Sequence, residues 1–158
     1  MKVLLSICLV LCLALSVNAV RLRTHTKSSS LPHIFKPGVP EDLIRSGLSS
    51  FIIIGLDGMI WLESGLQLKP GEAAAIIDLF KNPKKVFASG VTVSGVKYQG
   101  SLGDQSSIIG KKGATGAVIA KRDTFIIIST YTEKVKPDEV TDAIKMLADD
   151  IQEKENGA

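Results

Sequence analysis

Residues 51–63 read Phe51-Ile52-Ile53-Ile54-Gly55-Leu56-Asp57-Gly58-Met59-Ile60-Trp61-Leu62-Glu63. The first four form a continuous run of apolar, β-favouring side chains, the pattern of a buried strand. Asp57-Gly58 is a hairpin turn signal, because glycine supplies the positive φ that a tight turn needs. Met59 to Glu63 is then the return strand, and it carries the only tryptophan, Trp61. An antiparallel pair is therefore the unit from which the rest of the domain is read.

Downstream, Pro70 is expected to open a helix, at a position where a missing N–H costs least. Ala73, Ala74, Ile76, Ile77 and Phe80 would give it an apolar face, and Lys81-Asn82-Pro83 would stop it. From Val86 to Tyr131 β signals dominate. Val91, Val93, Val96 and Tyr98 suggest a hairpin around Ser94-Gly95, and Ile108-Ile109 leads into Gly110-Lys111-Lys112-Gly113 as a turn. Ala117 to Ala120 leads out, and Phe125 to Ile128 is the core of a further strand. Strand after strand with short turns implies one antiparallel sheet. Lys136-Pro137-Asp138-Glu139 starts the last element. Val140, Ala143, Ile144, Leu147, Ala148 and Ile151 then recur as one apolar stripe of an amphipathic helix.

Upstream, Pro40-Glu41-Asp42 reads as the start of a short helix ended by Gly47, its acidic residues placed where the helix dipole favours them. The expected fold class is thus α+β: a central antiparallel sheet of about six to seven strands flanked by N- and C-terminal helices. Residues 40–155 form this domain and residues 20–39 an irregular linker with Pro32, Pro37 and a serine run. Residues 1–19 join a basic Lys2, an apolar stretch and a terminal Val17-Asn18-Ala19, the pattern of a secretory signal peptide. An uncleaved hydrophobic leader or a misassigned start are the alternatives. Cleavage implies a secreted or lumenal protein; without it the expected place is the cytoplasm and cytoskeleton.

Composition limits the chemistry. Formal net charge is +3, too mild to imply nucleic acid, which calls for a dense basic stripe. Both cysteines, Cys8 and Cys12, lie in the leader, and both histidines, His25 and His33, lie before the domain. The domain therefore has no disulfide, no thiolate nucleophile, no Cys- or His-based metal site and no Ser-His dyad. The glycine-rich stretch from Gly100 to Gly116 is not a phosphate loop: six residues separate Gly103 from Gly110, and Lys112 stands where Ser or Thr is required. Glu41, Asp42, Asp138 and Glu139 sit at helix starts, where capping explains them. No nucleophile–base pair and no acidic metal loop appears. The expectation is a binding module: no catalytic residues, no metal, no cofactor, and a monomer.

Three stretches resemble the profilin family. Ile54 to Trp61 resembles its I-G-x-D-G-x-x-W hairpin. Lys69-Pro70 through Ile76, Asp78 and Phe80 to Pro83 is similar to its K-P-x-E-x-x-x-I helix and following turn. Gly95-Val96-Lys97-Tyr98 with Ile109-Gly110-Lys111-Lys112-Gly113 is similar to its G-x-K-Y strand and R-G-K-K-G turn. From Phe51 onward this covers about two thirds of the chain. The resemblance implies binding of monomeric actin through Lys97, Lys111, Lys112 and Lys121, with Lys136 at the helix start. Lysines suit an acidic partner surface by steering and orienting it. It also implies a poly-proline platform in which Trp61 takes part. The departures there are several: the chain has only His33 and Phe35 where the family's N-terminal helix brings a tryptophan and a tyrosine, and Asp150 stands in place of a C-terminal tyrosine. Proline-rich peptide binding is thus expected to be weakened or lost. A third implied property is phosphoinositide headgroup binding through the same lysines.

Two other readings compete with an actin-binding regulator of the cytoskeleton. One is a secreted or lumenal profilin-like protein with a different partner. The other is an unrelated sheet-and-helix scaffold, such as a small-molecule sensor, which the order of the motifs disfavours.

Overall fold

The computed structural model describes residues 50–157. The leader, the linker, the short helix from Pro40, and His25, His33 and Phe35 lie outside the described residues. Seven strands follow in order: β1 (Ser50–Gly55), β2 (Ile60–Ser64), β3 (Val91–Val93), β4 (Val96–Gly103), β5 (Ser107–Lys112), β6 (Thr115–Lys121) and β7 (Phe125–Tyr131). Three helices join them: α1 (Glu72–Leu79), α2 (Lys85–Ser89) and α3 (Pro137–Asn156). The strands form one sheet in the order β2-β1-β7-β6-β5-β4-β3, and every neighbouring pair is antiparallel.

The runs Phe51–Ile54 and Phe125–Ile128 are apolar at every position because both faces of the central strands are covered. Phe51, Ile53, Phe125 and Ile127 pack under Val140, Ile144, Leu147, Ala148 and Ile151 of α3. Ile52, Ile54, Ile126 and Ile128 face the other way, toward Ile76 of α1, Phe80 and Val86 of α2. The α3 stripe read from the sequence is thus the stripe that is buried. Both expected hairpins form, with Gly58 at φ 83, Ser94 at φ 55 and Gly95 at φ 78.

Three local expectations are corrected. The helix expected from Pro70 begins at Glu72, because Gly71 at φ 88 is left-handed and ends the preceding turn rather than continuing a helix. Its inward face takes Glu72 and Ile76, while Ala74 is exposed. The stretch after Pro83, read as strand, is the helix α2; five residues are too short for a periodic signal. The turn expected at Gly110–Gly113 lies at Gly113-Ala114, so Lys111 and Lys112 end strand β5.

Candidate functional site

Register places the lysines. Gln99 of β4, Lys111 of β5, Gly116 of β6 and Tyr131 of β7 are successive cross-strand partners, so their side chains share one face of the sheet. Lys97 lies two residues from Gln99, on that same face and further toward the β5–β6 turn. Gly116 has no side chain because the Tyr131 ring occupies its place: a Cβ there would meet the Tyr131 hydroxyl at 2.3 Å. Tyr131 is buried, and burial raises its phenol above the ordinary value, helped by the Asp138 charge and by Tyr98.

A cleft of about 350 Å³ opens beside this row, between the β5–β6 turn and the segment joining β7 to α3. Lys111, Lys134 and Lys136 line it together with Tyr131 and Glu133. Lys136 is the residue before Pro137 of α3, extends into solvent with 81% of its side chain exposed, and pairs with Glu139 at 3.5 Å. That exposed pair leaves most of the lysine charge available to a partner. Lys112, paired in register with Thr115, is exposed on the opposite face of the same strand end. Among the described residues Lys97, Lys111 and Lys112 take part in no ion pair.

Four of the five expected lysines therefore gather at one end of the sheet. Lys121 does not join them. It ends β6 six residues from Thr115, about 20 Å away at the rise of an extended strand. There its ammonium sits 6.0 Å from the centre of the Phe80 ring, and it lines a separate cleft of about 400 Å³ with Ser106, Arg122 and Asp123. The neighbouring β4–β5 turn is ordered by Asp104. Burial opposes ionisation of that carboxylate, but hydrogen bonds from Ser106 and Ser107 and the charge of Lys145 prevail and hold it below its ordinary value. No group of three or more His, Cys, Asp or Glu among the described residues could hold a metal ion.

Two surface residues had no signal in the sequence. Lys134 reaches the cleft only because β7 and α3 meet there. Phe87 projects from α2 with 48% exposure, and its carbonyl accepts a hydrogen bond from Gln99 Nε2 at 3.1 Å. An exposed aromatic thus stands next to the strand that carries Lys97.

Trp61 lies elsewhere, over the α3 side of the sheet. The β1–β2 register shifts between Ile53 and Ile54, so that Ile53 pairs with Leu62 and Ile54 with Ile60. Trp61 is the extra residue of this bulge, a device that re-aims a side chain. Its indole packs half-buried across Gly55, 6.0 Å from the Phe125 ring centre. Asp150 is exposed on α3 and ion-paired with Lys154.

A family model described as Profilin matches residues 36–156. Profilin-P of Physarum polycephalum is 48% identical over 112 residues, which span 70% of this chain and 90% of that protein. The structure of Acanthamoeba castellanii profilin IB superposes with a TM-score of 0.65 at 30% identity, over 69% of this chain and 88% of the other. LokiProfilin2 in its complex with rabbit actin has the same fold, with a TM-score of 0.60 at 17% identity, over 70% and 90% of the two chains.

Proposed function

Since this chain belongs to the profilin family, we propose that it is a binding protein, not an enzyme, whose partner is monomeric actin and whose activity is to regulate actin polymerisation. The observation that carries this reading is the gathering of Lys97, Lys111, Lys112 and Lys136 at one end of the sheet, with Phe87 exposed next to the strand that carries Lys97. Lys97, Lys111 and Lys112 make no internal ion pair among the described residues and the Lys136–Glu139 pair is exposed, so these cations steer and orient an acidic partner, while an exposed aromatic supplies the apolar anchor that charges do not. Lys121, held over Phe80 at the far end of β6, lies outside this gathering.

Titration of the full chain against monomeric actin tests the reading. Saturable binding is expected, and Lys111→Glu with Lys112→Glu should weaken it sharply without changing thermal stability. Unaltered affinity would remove that strand end from the site. Absence of binding by the folded protein would favour a different partner, and sequencing the mature N-terminus would then tell a secreted or lumenal product from a cytoplasmic one. A proline-rich peptide is expected to leave Trp61 fluorescence unchanged, since Asp150 contributes no aromatic surface. A phosphoinositide headgroup would use the same lysines, so it should compete with actin for them.

A further inference from the structure

Glu72 is a buried carboxylate that no ion pair accounts for among the described residues. It is 8% exposed. Its Oε2 accepts the backbone N–H of Lys69 at 2.9 Å and that of Ser94 at 2.8 Å, and its Oε1 accepts the N–H of Gly95 at 2.7 Å. The first bond closes the entry to α1. The other two reach across more than twenty residues to the tip of the β3–β4 hairpin. That tip is strained: Ser94, at φ 55, is the one non-glycine residue with positive φ among those described. Left-handed backbone at such a residue persists only where its surroundings hold it.

Val91, Val93 and Tyr98 anchor the base of the hairpin in the core, but its tip lies beyond them. β3 is a sheet-edge strand of three residues, making only the pairs Val91–Tyr98, Thr92–Lys97 and Val93–Val96. Lys97 lies in the middle of that short ladder, two residues beyond Gly95. We infer that Glu72 is a positioning residue for the partner face: by holding the Ser94-Gly95 turn it fixes the direction in which Lys97 meets actin. This rests on the actin-binding reading above and deepens it, since it assigns affinity to a group that touches no partner.

Charge and geometry make opposite predictions for Glu72→Gln. Removing a negative charge near Lys97 would, by steering alone, strengthen association with an acidic surface. Loss of the Glu72 contacts to the turn acts in the reverse direction. Glutamine keeps one oxygen acceptor but turns an NH2 donor toward an N–H donor, so at least one turn amide loses its partner. The turn loosens and Lys97 loses its fixed aim. The expected result is weakening of actin binding by about tenfold, the factor that one lost charge-assisted hydrogen bond typically accounts for.

The test is a double-mutant cycle on the full chain with Lys97→Ala, reading the dissociation constant for actin monomer together with hydrogen exchange at Ser94 and Gly95. Expected are weaker binding by each single variant, no further loss when they are combined, and faster exchange of both amides in the glutamine variant. If Lys97→Ala weakens binding but Glu72→Gln does not, or if their effects add in full, the positioning role is overturned while the actin face stands. If Lys97→Ala is without effect, or the wild-type chain does not bind actin, the face itself fails and this inference falls with it. Should Glu72→Gln not fold, Glu72→Asp, which keeps the charge but withdraws it from the turn, is read in the same way.

Discussion

Adding one methyl group at Gly100 tests the least expected contact in the fold. Gly100 lies in β4 under α2, and a Cβ at that position would stand 2.2 Å from the Val86 carbonyl oxygen, 2.5 Å from its carbon and 3.0 Å from the Phe87 nitrogen. All three are backbone atoms, so no side-chain rotation relieves the overlap. In Gly100→Ala the helix must retreat by about 1 Å to reach ordinary van der Waals separation. That retreat lifts Val86, fully buried in the wild type, out of its slot and pulls the Phe87 carbonyl from Gln99. Overpacking of this kind costs about 2–3 kcal/mol, near the top of the usual range because nothing flexible yields. For a domain of this size the melting temperature should fall by about 10 °C.

Gly113→Ala is the control. Its φ of 61 disfavours an L side chain, but no heavy atom lies within 4 Å of the added Cβ. Its cost is conformational alone, about 1 kcal/mol. Both variants would be followed by thermal denaturation monitored by circular dichroism. A Gly100→Ala protein that melts within about 2 °C of wild type, well inside the expected shift, would mean that α2 does not rest on β4. Equal losses in the two variants would mean that the steric argument is wrong.

Further outcomes follow from the same geometry. Arg122, with 17% of its side chain exposed, bonds Asp149 and the carbonyls of Lys121 and Lys145, tying the β6–β7 turn to α3; Arg122→Ala should lower stability by about 1–2 kcal/mol in urea unfolding, and an unchanged midpoint would refute that tie. At the acid end, the lowered value of Asp104 means that its carboxylate stabilises the fold above its ordinary value of 3.8 and that this is lost as pH falls through the folded value; Asp104→Asn should flatten the stability curve there. At the alkaline end the sign reverses. Burial raises Tyr98 and Tyr131, so their neutral forms stabilise the fold below 10.0 and that contribution disappears as pH rises through the folded values. Tyr131→Phe should reduce the slope of stability loss above pH 10, and an identical slope would show that this phenol does not titrate in the fold.

What could be read along the chain was whatever nearest neighbours decide. The α3 stripe from Val140 to Ile151, the Asp57-Gly58 and Ser94-Gly95 turns, and the apolar runs at Phe51 and Phe125 are set by helical period, positive φ and β-favouring side chains, and each appears in the fold. The family motifs, all local, pointed to the family that the comparisons show. Where local signals were short or shared, the reading failed: five residues of α2 carry no period, and three glycines with two lysines between Gly110 and Gly116 did not say which pair would turn.

Tertiary structure alone decided which distant residues meet. β1 pairs with β7 across seventy residues or more because that arrangement buries both faces of the two most apolar strands at once. The same strand order brings Lys111 and Lys136 to one cleft, leaves Lys121 at the opposite end, and sets Glu72 against a turn more than twenty residues downstream. The physical reason is that propensity acts over a few bonds, whereas burial acts through space. A lysine's type is written in the chain, but its neighbours are chosen by the core that forms beneath it.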